Sequence, residues 1–300
     1  MTVTVRVPAK VNAQLAVGPA RPDGFHDLAN VFLAVGLYDE ITVEPAAELR
    51  ITCSGPGADQ VPLDRSNLAA RAAIALAEWT GRSPDVHIHI AKDIPVAGGM
   101  AGGSADGAGA LLACDTLWGT GAGRAELLEL AAGLGSDVPF SLVGGAALGT
   151  GRGERLRELP VGGIFHWVFA LAEGGLSTPA VYREFDRLAA ERGAPVPAPV
   201  ASEVLLDALR DGDAVALGAA LGNDLQPAAL SLYPSLAEVL AVGTKAGALA
   251  ALVSGSGPTT AFLASDAAVA RTVSDALRES GTCRTTRVTE APARGATVLP

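Results

Sequence analysis

Residues Pro95 to Trp118, PVAGGMAGGSADGAGALLACDTLW, constrain the fold of this chain more than any other stretch. Gly98, Gly99, Gly102 and Gly103 follow a short apolar run, Val86 to Ile90, and lead through Ser104 and Asp106 into an apolar helical sequence. A loop that opens a helix in this way presents bare backbone amides. Those amides and the positive end of the helix dipole both favour an anion such as phosphate. Neither common phosphate motif fits. A P-loop needs Lys just after its last glycine, where Ser104 stands, and the dinucleotide fingerprint lacks its first Gly-x-Gly pair. A plain surface loop is the alternative, and the direct run into a helix argues against it. Ala108, Leu111, Leu112 and Trp118 share one helical face. Gly107 and Gly109, inside the helix, each weaken it by about 1 kcal/mol relative to Ala. Close packing of a backbone or of nucleotide would justify them; otherwise they are chance.

A length of 300 residues points to two domains, because single cores seldom grow much past about 250 residues. The net charge of −10 argues against nucleic acid as a main partner, which would need a basic face. Cys53, Cys114 and Cys283 are far apart and odd in number, so neither a disulfide framework nor a metal spacing is visible. The opening MTVTVRVPAK lacks the apolar segment of a secretion signal, and no run is apolar enough to span a membrane. The expectation is a cytoplasmic protein.

Thr2 to Val7 alternates as a strand that Pro8 ends, and Lys10 follows among apolar neighbours. A lone Lys at a strand end is usually a solvated edge residue; the apolar surroundings here give it a partner or a task. Phe25 and His26 follow the turn Arg21-Pro-Asp-Gly, and a loop aromatic is either a lid over the core or a stacking platform. Tyr38-Asp39-Glu40 reads as a break in the apolar run Val31 to Val43. Ser66 reads as the cap of an Ala-rich helix running to about Thr80. His87 and His89 read as strand surface, with no third metal ligand nearby in sequence. Asp137 stands between the stop of helix Ala125–Leu134 and an apolar segment; it is either a turn residue or a carboxylate beside a substrate. The second half reads as strand, helix after Ser177-Thr178-Pro179, further helices, two strands, helix and a last strand at Cys283–Thr289. Without the extra helices the order is β-α-β-β-α-β, the ferredoxin-like pattern.

Three ordered stretches resemble the GHMP kinases: Pro8-Ala9-Lys10-Val11-Asn12 with Asp23-Gly24-Phe25-His26, the Pro95–Asp106 loop, and Ser254-Gly-Ser-Gly-Pro-Thr259. With Gly-Ser-Asp137-Val-Pro-Phe, the likeness is strongest to the branch acting on a cytidylyl methylerythritol substrate, and it covers nearly the whole chain. It implies an α+β two-domain fold: an N-terminal domain over residues 1–155 like domain 2 of ribosomal protein S5, and a ferredoxin-like domain over 156–300. The active site would lie in the cleft between them. ATP and Mg²⁺ are implied, with no residue assigned to the metal. Lys10 and Asp137 match the catalytic positions. Pro95, Val96, Ala97, Gly98, Gly99, Met100, Ala101, Gly102, Gly103 and Ser104 match the ATP loop, and Asn67 an adenine or ribose contact. Asn12, Phe25, His26 and Tyr182 match substrate positions, with Phe185 the alternative to Tyr182 as one face of a cytosine stack. Phe25 stands where the family often has Tyr; Ala13 and Gly107 also depart from its pattern. Monomer and homodimer are both compatible with the sequence. The rival readings are a homoserine or mevalonate type of kinase, and a ligand sensor without turnover.

Overall fold

The computed structural model describes residues 1–96 and 98–300. In the first half, β1 (Val3–Ala20), β2 (His26–Pro45), β3 (Arg50–Ser54), α1 (Leu68–Thr80) and β4 (Val86–Ala91) lead to α2 (Gly102–Trp118). Then come α3 (Arg124–Leu134), α4 (Val138–Val143), β5 (Ala146–Thr150) and β6 (Arg155–Leu159). The second half runs β7 (Phe165–Leu171), α5 (Thr178–Arg192), α6 (Glu203–Asp211), α7 (Ala214–Ala220), β8 (Gly222–Asn223), α8 (Gln226–Leu232) and α9 (Leu236–Lys245). It ends with β9 (Ala250–Val253), β10 (Thr260–Ala264), α10 (Ala267–Ser280), β11 (Thr285–Ala291) and β12 (Thr297–Val298). Among the described residues no helix is long and apolar enough to cross a membrane.

Two sheets organise these elements. The first has the order β12-β1-β2-β4-β3, with β5 joined to β2, β6 to β5, and the short β8 beside β1. The second is antiparallel, in the order β11-β7-β10-β9. Taken with α5–α9 as one crossover and α10 as the other, this is the β-α-β-β-α-β arrangement the sequence predicts. The ferredoxin-like half is therefore α+β, as expected. Strands β8 and β12 carry the later chain back onto the first sheet, which no local pattern foretold.

Strand β1 is longer than expected. Pro8 does not end it; the register with β2 shifts between Pro8 and Ala9, and such an irregularity tolerates a residue without an N–H. Tyr38-Asp39-Glu40 likewise does not interrupt β2, because the Asp39 carboxylate is wholly buried against Lys92 and two backbone amides. Alternation along β1 sends Val5, Val7, Ala9, Val11 and Ala13 into the main core beneath α1 and α2, and leaves Lys10 and Asn12 on the opposite face. Gly109 explains itself here. A Cβ on it would stand 2.4 Å from Ile41 Cγ1 and 2.8 Å from Val7 Cγ2, so α2 lies too close to the sheet for any side chain. Asn67, rather than Ser66, caps α1, its side chain accepting from the Ala69 amide. His87 and His89 lie on the outer face of β4, tied to Glu44, Thr52 and Ser54 as strand-surface residues.

Candidate active site

A cleft of about 690 Å³ collects most of the residues singled out above. At its floor Lys10 is 5% exposed, in mid-strand and not at a solvated edge. Its ammonium donates to Asn12 Oδ1 at 2.6 Å and to the Gly99 carbonyl at 3.1 Å, and lies 3.6 Å from Asp137 Oδ2. Asn12 in turn donates to Asn30 Oδ1 at 2.7 Å, which fixes the plane of its amide. Asp137 occupies the N-cap position of α4, yet its side chain makes no capping bond. The carboxylate is thus not spent on the turn. It faces the cleft beside the cation.

One wall is the glycine loop. Ala101 has φ 60, a region a non-glycine residue occupies only when the surroundings hold it there. The helical ladder of α2 begins with Ala105 donating to the Ala101 carbonyl. The amides of Gly102, Gly103 and Ser104 precede that ladder, and these residues line the cleft with Pro95, Gly98, Gly99 and Ala101. Behind the loop sits the turn Ser254–Gly257, where Ser254 Oγ donates to the Gly99 carbonyl at 3.1 Å. Ser256 and Thr178 join hydroxyls at 2.9 Å, which ties the start of α5 to the same turn.

The far end is aromatic. Phe25 is 49% exposed, with the Arg152 guanidinium 5.0 Å from its ring centre. His26 is buried and donates from Nδ1 to the Gly18 carbonyl at 2.9 Å, so Nε2 is the nitrogen directed toward Asp186, 3.5 Å away. The Tyr182 ring stands 5.1 Å from the His26 ring. Burial, reinforced by the Asp137 carboxylate, raises the Tyr182 phenol above its ordinary range. Tyr182 lines the cleft; Phe185 is buried behind His26 in an edge-on contact at 5.9 Å.

The structure does not bring every sequence candidate to this cleft. Met100 turns into the main core, and Val96 packs toward Gly57. Asn67 is not among the residues lining the cleft: its amide oxygen caps α1 and its nitrogen donates to the Pro62 carbonyl at 2.7 Å. Ala97 lies outside the described residues. Conversely, Asn30, Arg152, Arg183 and Asp186 line the cleft and were not anticipated. Asn30 had a signal, an amide inside the apolar run LANVFLAV. Asp186 had one too, four residues beyond Tyr182 on a helix and hence beside it.

The fold and this cleft define a class. Residues 67–145 match the GHMP kinases N terminal domain and residues 205–283 the GHMP kinases C terminal domain. The protein is a small-molecule kinase of that class. A 4-diphosphocytidyl-2-C-methyl-D-erythritol kinase of Streptomyces avermitilis is 78% identical over 299 residues, covering 100% of both chains. A crystal structure of 4-(cytidine 5'-diphospho)-2C-methyl-D-erythritol kinase superposes with TM-score 0.78 at 33% identity, over 96% of this chain and 99% of that one. A homoserine kinase from Cytophaga hutchinsonii reaches TM-score 0.76 at 19% identity over 99% and 97%, a likeness of fold alone. The chain therefore belongs to the 4-diphosphocytidyl-2-C-methyl-D-erythritol kinase family.

Proposed function

We propose that this kinase transfers the γ-phosphoryl group of ATP to the tertiary 2-hydroxyl of 4-diphosphocytidyl-2-C-methyl-D-erythritol, a step of the non-mevalonate route to isoprenoid precursors. The observation that carries the reading is the Lys10–Asp137 pair, 3.6 Å apart in the cleft that the loop amides also line. A tertiary alcohol is crowded and very weakly acidic. It needs a carboxylate to take its proton and a cation to stabilise the charge that develops, and these two residues supply both. Asn12, its amide plane fixed by Lys10 and Asn30, orients the substrate hydroxyls. The amides between Gly98 and Ser104 and the Ser104 hydroxyl hold the nucleotide phosphates, and phosphoryl transfer otherwise rests on positioning and charge stabilisation.

Among the described residues no three His, Cys, Asp or Glu side chains gather as a metal site. Mg²⁺ would enter with the nucleotide, since this ion keeps several waters and binds chiefly through substrate phosphates. When bound, it neutralises phosphate charge. Residues 1–155 and 156–300 act as two units in this reading, with β8 and β12 as the ties between them.

Phe25 and Tyr182 form the cytosine end, with His26 beside them. Stacking on an aromatic is worth about 1–3 kcal/mol per base. Phe25→Ala is accordingly expected to raise KM for the cytidylyl substrate by about tenfold, and KM for ATP far less. Steady-state kinetics with each substrate varied in turn tests this; a larger rise for ATP refutes the stacking role.

A further inference from the structure

Directly beneath the phosphate loop lies a charge cluster that the reaction does not use. Lys92, just after β4, is buried, and its ammonium is clamped between Asp39 Oδ2 at 2.5 Å and Asp106 Oδ2 at 2.9 Å. Asp39 Oδ1 also accepts the amides of Asp93 and Ile94, at 2.7 and 2.9 Å, so the chain entering the loop hangs on the same carboxylate. A Cβ on Gly102, the first residue of α2, would lie 3.2 Å from Lys92 Nζ. The ammonium therefore sits against the point where the helix and its free amides begin. Asp106 is one turn further along α2 and 3% exposed, and its Oδ1 has no hydrogen-bond partner.

We infer that Lys92, Asp39 and Asp106 are positioning residues for the phosphate loop, and that Asp106 takes up a proton when nucleotide phosphate binds above it. Two carboxylates on one ammonium leave a net negative charge below a site built for an anion. A buried carboxylate oxygen without a partner is costly, and a proton on it removes that excess charge. The groups facing Asp106 are Lys92, Asp39 from β2 and the Cys53 thiol from β3. Burial raises the Asp106 carboxyl to about 7; Lys92 opposes the rise and Asp39 adds to it. Burial works against the Lys92 charge, but the two carboxylates outweigh it and raise that group, so the ammonium stays charged throughout.

The sign follows. Bound phosphate raises the Asp106 carboxyl further, so affinity is full below about pH 7 and falls as pH rises beyond it. Asp106→Asn keeps the shape and the contact with Lys92 and leaves a neutral Lys92–Asp39 pair at every pH. At pH 8.5 it is expected to bind Mg-ATP more tightly than the natural chain, on the order of threefold, the cluster's extra negative charge being gone.

This inference rests on the nucleotide reading of the loop, and calorimetry separates the two. Mg-ATP is titrated near pH 7 into both proteins, in buffers of different ionisation enthalpy, to count protons exchanged on binding. The natural chain is expected to take up more protons per nucleotide than Asp106→Asn, whose count is the nucleotide's own. Equal counts, with equal affinities at pH 8.5, overturn the inference while leaving the nucleotide site standing. No binding by either protein overturns both. If the variant does not fold, infrared difference spectra of the natural chain decide: Mg-ATP is expected to increase the band of a buried protonated carboxyl, and an unchanged band refutes the uptake.

Discussion

Asp137→Asn is expected to lower kcat by at least about 100-fold, within the range associated with losing a general base, while leaving the binding of both substrates largely intact. The side chain is the same size and makes no capping bond to lose, so α4 forfeits at most the roughly 0.3–1 kcal/mol that a charge at a helix N-terminus contributes. What the amide cannot do is accept the hydroxyl proton beside the Lys10 ammonium. Rapid-quench turnover paired with equilibrium binding separates the two effects. Turnover like that of the natural chain would remove Asp137 from the chemistry. A loss confined to binding would make it a recognition residue.

Gly99→Ala is expected to reduce kcat/KM for ATP at least as severely, by a route that involves no reacting group. Gly99 has φ +74, and a Cβ there would stand 2.1 Å from the Ser254 carbonyl oxygen and 3.1 Å from the Gly257 nitrogen. An L-residue in that region costs roughly 1–2 kcal/mol before any clash is counted. The contact can be relieved only by moving the loop off the turn behind it. The Gly99 carbonyl moves with it, and that carbonyl receives both the Lys10 ammonium and the Ser254 hydroxyl. Loop and Lys10 ammonium are therefore displaced together, and a fall of about 100-fold or more is expected, the scale on which misplaced reacting groups lose rate. Gly103→Ala is the control. A Cβ on Gly103 would meet only Leu68 Cδ1, at 3.8 Å, so a loss of less than about tenfold is expected. Equal losses at the two positions would show that the loop's seat on the Ser254–Gly257 turn does not matter.

What was legible in the sequence was local. The loop-to-helix switch at Gly102, the Ser-Thr-Pro start of α5 and the strands β7, β10 and β11 are encoded within a few residues, and each is found within a residue or two of where the pattern put it. Lys10 stood out by its apolar neighbours and Asn12 only through the family resemblance; that the two share one face follows from β1 continuing through Pro8, which the sequence reading did not foresee. What was hidden depends on partners far along the chain. Asp39 looked like a break in a strand because its partner Lys92 is 53 residues away. Pro8 looked like a stop because the register shift that accommodates it belongs to a pairing of two strands. Arg152 reaches the cleft only through the pairing of β5 with β2 and of β6 with β5, and its place over Phe25 has no trace in the spacing of either residue. Asn67, by contrast, was legible as a helix-start residue, and it caps α1.

The measurement that bears most directly on the account is ADP release by the purified chain with Mg-ATP and three acceptors offered separately: 4-diphosphocytidyl-2-C-methyl-D-erythritol, homoserine and mevalonate. Turnover with the cytidylyl acceptor alone is the predicted result. Turnover with homoserine or mevalonate in its place would keep the loop and the Lys10–Asp137 pair but contradict the cytosine end of the cleft. ATP binding without turnover on any of the three would contradict the assignment of a catalytic pair altogether.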